Sequence, residues 1–223
     1  MRSVRQHVNP LGLNFQTARA EAYARPQGLS TTEPLEVELG CADAQFAFEL
    51  ARQRPERPVV GLEIREKLVE INRRKAIREG LSNLYFGYVN LNVDLDRVFE
   101  ADEVARFHLL FPDPWFKARH QKRRVLDERL CQTLAQQLRR GGEVHMASDV
   151  FEIALDAMEV FESSQVVAMG FLNLAGAWSF SRENPTGIAS KREETTLARG
   201  ERVWRLRYQW QAPGEEARLA PLL

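Results

Sequence analysis

Two periods of apolar residues take turns along most of this chain. Leu35 to Gly40, LEVELG, alternates apolar and acidic positions and then meets a glycine, the pattern of a buried strand running into a tight turn. A helical pattern follows through Phe46, Phe48, Leu50 and Ala51 up to Pro55, and Val59 to Ile64 then reads as a second strand with Glu63 near its end. Residues 66 to 79 set Leu68, Val69, Ile71, Ala76 and Ile77 among charges, which predicts an amphipathic helix closed by Gly80. A third strand is expected from Leu84 to Leu91, a short helix or turn over 94 to 103, and a fourth strand from Val104 to Phe111.

Beyond a basic loop, Asp127 to Arg140 carries Leu130, Leu134 and Leu138 four residues apart and predicts a helix ended by Gly141-Gly142. Val144 to Ala147 is a fifth strand, followed by Ser148 and Asp149, and a helix is expected over about 150 to 163. Val166 to Leu172 and Arg202 to Trp210 complete the set of strands, with an irregular stretch of about 30 residues between them, a length expected of a functional or a partly disordered segment. Strand, turn, helix and strand with a terminal acid form the opening unit of a Rossmann-like sheet. The pattern therefore predicts an α/β chain with a seven-stranded, single-domain fold over residues 33 to 212. Residues 1 to 32 show no period and read as a flexible basic arm, and 213 to 223 as a tail.

Composition narrows the partners. With 223 residues and 44% hydrophobic content the chain can bury a full core, and Lys plus Arg balance Asp plus Glu at 31 each. A nucleic-acid partner would then be held by a local cationic patch, since the overall field is neutral. The two cysteines, Cys41 and Cys131, have no metal-binding spacing, and the chain lacks both a membrane-length apolar run and the apolar stretch of a signal peptide. The expected setting is a reducing cytoplasm, with no membrane association, as a monomer or homodimer.

The candidate chemistry lies at the carboxyl ends of the strands, where open α/β sheets bind their ligands. The turn at Gly40 suits a nucleoside, and Glu63, about 20 residues further on, suits its ribose hydroxyls. Asp113 ends the fourth strand between two prolines, neither of which can continue a central strand. Asp149 ends the fifth. Trp115 and Phe116 adjoin Lys117, Arg119, His120, Lys122, Arg123 and Arg124, which pairs stacking rings with phosphate-binding cations. The same composition also describes a solvated basic loop.

The order of those residues says more. Phe111 to Arg124, FPDPWFKARHQKRR, resembles the signature of the bacterial tRNA (guanine-N7)-methyltransferases, the TrmB-type family. Ser190-Lys191-Arg192-Glu193 stands where that family has a Thr-Lys-Phe-Glu type motif, and Gly200 with Val203-Trp204 keeps its downstream spacing. The resemblance spans roughly residues 35 to 210. It implies an S-adenosylmethionine-dependent transfer of methyl to N7 of a variable-loop guanine in tRNA. It further implies that Glu38, Gly40, Glu63, Asn90 and Asp113 serve S-adenosylmethionine, and that Lys117, Asp149, Ser190, Lys191, Arg192 and Glu193 serve the RNA. Asp113 and Asp149 are the expected catalytic carboxylates. Guanine N7 carries a lone pair and no proton, so they would act by position and by charge on the developing cation.

Three positions in the cofactor half depart from the family. The first turn reads Gly40-Cys41-Ala42-Asp43-Ala44 where the family has roughly Gly-x-Gly-x-Gly, and Asn90 stands in place of an acid near the adenine. These departures favour an alternative reading, a cofactor-impaired tRNA-binding protein or partner subunit with the same fold. A nicotinamide-binding oxidoreductase would share the first turn and Glu63 but leaves Trp115 to Arg124 without a role.

Overall fold

The computed structural model describes residues 9–12, 15, 20–24, 32–113 and 126–213. The loop from Trp115 to Arg124, Lys117 included, lies outside them, as do most of the arm and the tail. The strands are β1 (Leu35–Leu39), β2 (Val59–Glu63), β3 (Leu84–Tyr88), β4 (Val104–Leu110), β5 (Leu138–Ser148), β6 (Phe171–Asn173) and β7 (Trp204–Trp210). The helices are α1 (Gln45–Gln53), α2 (Glu66–Arg78), α3 (Glu128–Gln137), α4 (Phe151–Phe161), α5 (Ser164–Ala168) and α6 (Lys191–Ala198). One sheet runs in the order β3-β2-β1-β4-β5-β7-β6, parallel except where β7 lies antiparallel to β5 and β6. Among the described residues no helix is long and apolar enough to cross a membrane.

Three expectations need correction. The helix over 127 to 140 stops at Gln137, where Leu138 turns extended and opens β5. The Gly141-Gly142 pair does not end a helix. It falls in a bulge, because pairing jumps from Val104–Leu138 to Arg106–Glu143 and Gly141 sits at φ +72°. Val166 to Leu172 is not one strand either. Ser163 Oγ accepts from the Val166 amide at 3.4 Å and caps α5, and only Phe171–Asn173 pairs with β7. Gly170 is required at that corner, since a Cβ there would come within 1.8 Å of the Gln211 carbonyl oxygen. Finally, the stretch between β6 and β7 contains α6.

The two faces of the sheet differ. Leu35, Val37 and Leu39 of β1 join Phe107, Leu109, Val144, Met146 and Leu206 on one face, under Leu134, Ala157 and Phe161 of α3 and α4. The opposite face packs α1 and α2 against its β3-side half through Phe46, Phe48, Leu50 and Val69. Its centre carries buried charge. Glu36 Oε1 accepts from Arg54 at 2.9 Å and Arg57 at 3.1 Å, while Oε2 accepts from His108 Nε2 at 2.7 Å. His108 Nδ1 lies 3.4 Å from His145 Nδ1, and Glu143 accepts from Arg106 at 3.2 Å and from Arg207 at 2.8 and 2.9 Å. The chain of contacts thus crosses β1, β4, β5 and β7.

Protonation follows from this packing. Burial pushes the Glu36 carboxyl up, but the His108 hydrogen bond and the charges of Arg106 and Arg54 overrule it and hold it at about 2. Burial depresses His108 and takes His145 well below its ordinary value of 6.5. His145 Nε2 is buried with no hydrogen-bond partner among the described residues. Stability is expected to fall on acidification in two steps. Below 6.5 the unfolded chain takes up histidine protons that the folded chain resists, and below 4.5 it also protonates Glu36, whose contribution is lost as pH falls towards 2. Urea midpoints measured across that range check both steps, and His145→Leu is expected to flatten the first.

Candidate active site

A cleft of about 420 Å³ opens at the carboxyl ends of β1 and β4. Chain order reverses between these neighbours, since β2 follows β1 on one side and β5 follows β4 on the other, and the loops part there to leave a crevice. Glu38, Gly40, Glu63, Asn90, Asp113, Ser190, Lys191 and Arg192 all line it. Of the residues singled out in the sequence, Asp149 and Glu193 lie beside this lining, each tied to it through α6.

The turn after β1 is held from below by β2. Gly40 and Cys41 donate their amides to the Leu62 carbonyl at 2.8 and 2.9 Å, and the Ala42 amide donates to Glu63 Oε2 at 2.9 Å. Asn72 of α2, which the sequence reading missed, donates from Nδ2 to the Ala42 carbonyl at 2.9 Å. Ala42 and Ala44 both take left-handed backbone, at φ +49° and +57°. The alanines therefore adopt the conformation that glycines would supply, at a cost of roughly 1–2 kcal/mol each. Phe111, where β4 gives way to Pro112, is left-handed as well, at φ +51°. Gly61 is what lets the turn sit so low, because a Cβ there would meet Cys41 Sγ at 2.9 Å and the Phe86 ring at 2.6 Å.

Glu63 proves busier than its sequence position suggests. Besides the Ala42 amide it accepts from Arg65 N at 2.9 Å, Nε at 2.8 Å and Nη2 at 3.0 Å. Four donors fill about the full capacity of a carboxylate, so a ribose hydroxyl reaches Glu63 only by replacing an Arg65 donor. Arg65 in turn feels the charge of Asp113 across the cleft. Glu38 is the opposite case. Its Oε2 accepts one bond, from the Ala47 amide in the first turn of α1, at 3.1 Å. Burial, only partly offset by that bond and reinforced by the charges of Asp43 and Glu63, pushes its carboxyl up to about 8. Glu38 therefore holds a proton at neutral pH.

Asn90 spends its amide on the chain's own N-terminal segment. Nδ2 donates to the Pro10 carbonyl at 2.9 Å and the Phe15 carbonyl at 2.7 Å, and Oδ1 accepts from the Asn92 amide at 3.1 Å. Pro10 thereby becomes part of the cleft wall. Further along, the Tyr23 amide donates to the Val98 carbonyl at 2.7 Å, and its ring packs edge-on against Tyr85.

The fourth wall is the start of α6. Ser190 Oγ accepts from the Glu193 amide at 3.3 Å, and Glu193 is buried against Arg205 of β7 and Asn184 Nδ2. Ser-x-x-Glu is a capping-box spacing, a signal in SKRE that marks a helix start. Arg192 donates from Nε and from Nη2 to the same Asp149 oxygen, at 2.8 Å each, and Thr196 Oγ1 approaches it at 3.5 Å.

This cleft can be set beside known proteins. Residues 32–206 match a family described as a putative methyltransferase. The chain is 36% identical over 211 residues to a tRNA (guanine-N(7)-)-methyltransferase of Thermosynechococcus vestitus, covering 92% of this chain and 94% of that protein. It is 37% identical to one of Trichormus variabilis, covering 91% and 93%. The chain belongs to the tRNA (guanine-N7)-methyltransferase family. Among solved structures it resembles the 16S rRNA methyltransferase KamB, at TM-score 0.59 and 17% identity over 82% of this chain and 90% of that one. A 16S rRNA (adenine(1408)-N(1))-methyltransferase from Catenulisporales acidiphilia gives TM-score 0.58 at 16% identity, over 87% and 100%. Those two show the fold, the expected seven-stranded Rossmann-like methyltransferase arrangement.

The resemblance places an acid where this chain has Asn90, and an acid could not donate to Pro10 and Phe15. Asn90→Asp is expected to release that segment. Two hydrogen bonds at about 1 kcal/mol each correspond to roughly a 30-fold faster amide exchange at Gly12 and Phe15. Hydrogen exchange read by mass spectrometry checks it.

Proposed function

We propose that this protein transfers a methyl group from S-adenosylmethionine to N7 of a guanine in tRNA. The observation that carries this reading is the meeting of Ser190, Lys191 and Arg192 with the Gly40 turn in one cleft, although some 150 residues separate them in the chain. The family of the chain and the fold support the same reaction. The cleft volume lies within the roughly 300–1,000 Å³ of small-molecule sites, and the turn, the buried Glu38 and the Glu63–Arg65 pair suit a nucleoside with a cationic end. When bound there, the cofactor supplies an electrophilic methyl group on a sulfonium.

The protein's own residues then position. Left-handed Ala42 and Phe111 keep backbone close to the ligand on both sides of the crevice. Asp149 is the carboxylate for the base. Guanine presents N1–H and N2–H side by side, and the Arg192 guanidinium likewise presents two adjacent donors, both to Asp149 Oδ2. The incoming guanine replaces those donors and leaves Arg192 free for a phosphate. On this reading the enzyme works in the cytoplasm, as a monomer or homodimer, Asp113 at the end of the fourth strand is the second carboxylate of the site, and Lys117, outside the described residues, is assigned to the RNA.

The reaction is tested by transfer of labelled methyl to unmodified tRNA followed by cleavage specific for N7-methylguanine; label on another atom or base would overturn it. In that assay Asp149→Ala is expected to lower kcat by about 100-fold or more, with tRNA affinity changed much less. Asp149→Asn is expected to recover little, because an amide offers no counter-charge. Glu38 adds a pH dependence. A cation beside it favours the ionised form, so cofactor binding expels its proton and affinity rises with pH until about 8, then levels. The product, S-adenosylhomocysteine, which has a neutral thioether in place of the sulfonium, is expected to show a shallower rise, and Glu38→Gln to flatten both. Calorimetry at a series of pH values checks this.

A further inference from the structure

An aromatic cluster stands at the carboxyl end of β5, outside the cleft, and the chemistry above gives it no part. Phe151 opens α4 two residues after Asp149, and its ring packs on Trp204 at 4.7 Å and on Phe180 at 6.1 Å between centroids. Phe180 and Trp204 are 5.0 Å apart. Trp204 faces Ser148 across the antiparallel pairing of β5 and β7, so β7 carries the indole to the strand end that bears Asp149. The Arg202 guanidinium lies over that indole at 3.9 Å. Two surfaces of the cluster meet solvent: the Phe151 ring, 42% exposed, and Arg202.

A cluster that only closed the end of the sheet would turn its rings inward and would need no cation. Here the exposed ring of Phe151 follows the carboxylate assigned to guanine by two residues, Arg192 holds that carboxylate, and the Arg202 guanidinium stacks on the indole that backs the ring. Two residues span at most about 7 Å of chain, so the backbone of Phe151 lies within about one nucleotide's length of the backbone of Asp149. A guanine turned out to offer N7 leaves its neighbour without a stacking partner. A ring at this distance replaces the partner, and does so for any base, because every base has a π-face.

We propose that Phe151, backed by Trp204 and Phe180, is a stacking platform for the nucleotide adjacent to the target guanine, with Arg202 holding that nucleotide's phosphate. The inference rests on the reading that Asp149 takes the guanine. Arg202, like Arg192, matches the charge of a polynucleotide backbone, and the cluster continues directly from the site.

The test uses full-length protein and tRNA transcripts with 2-aminopurine on either side of the target guanine. Wild type is expected to quench one of the two probes on binding. Phe151→Ala is expected to abolish that quenching and weaken tRNA binding by about ten-fold, within the range for loss of one base–aromatic stack, and Phe151→Tyr to restore both. Arg202→Ala is expected to lower the salt slope of binding by about 1. Thermal unfolding and cofactor calorimetry on each variant report an intact fold. If methyl transfer to N7 proceeds but Phe151→Ala binds and quenches as wild type does, the platform is wrong and the reaction stands. If wild type quenches as expected but methylates nothing, the reaction is wrong and the stacking contact stands as an RNA-binding feature. Quenching at neither flank overturns the platform outright.

Discussion

The carboxylate of Glu63 is the constraint from which the ligand-binding edge of the sheet is built. It anchors the Ala42 amide, fixes Arg65 by both backbone and guanidinium, and so pins the turn after β1 to the end of β2. Without that anchor the left-handed Ala42 and Ala44 would relax, since nothing in an alanine side chain favours positive φ. The strain at these positions is sustained by the surrounding bonds: Asn72 on one flank, the Leu62 carbonyl on another, and the space opened by Gly61 beneath. A turn assembled in this way gives up some stability to bring backbone close to a ligand.

Charge is distributed along the same face of the sheet in two contrasting states. Glu36, deep at the amino end, is ionised because Arg54, Arg57 and His108 surround it. Glu38, two residues on and at the cleft, has one amide donor and acidic neighbours, and keeps its proton. The difference comes from partners, not from burial, because both are buried. One carboxylate ties strands of the sheet together; the other stays protonated at the wall of the cleft.

The second half of the chain reaches the cleft through β7 and α6. Glu193 on Arg205 seats α6 against the sheet, α6 brings Arg192 to Asp149, and the β5–β7 pairing brings Trp204 to the same strand end. The cleft lining and the Asp149 carboxylate are thereby joined by one short helix. The ion pair of Arg192 and Asp149 also satisfies a strand-end carboxylate.

The alternating β1 run, Gly40, and the strand-end positions of Glu63, Asp113 and Asp149 were legible in the sequence, because period and punctuation are local properties of the chain. So was the family resemblance at Phe111 to Arg124 and at Ser190 to Glu193. What local pattern could not settle was decided by packing. Leu138 has helical spacing but extends into β5, since its side chain is needed in the core and a glycine bulge absorbs the extra residues. Val166 and Val167 look like strand and form a helix, because the Ser163 cap and the close approach at Gly170 fix the corner. The work of Glu63, Asn90 and Arg192 was invisible for the same reason. Which donors a carboxylate meets, or which carbonyls an amide finds, depends on segments tens of residues away, and only the folded sheet brings those segments within hydrogen-bonding distance.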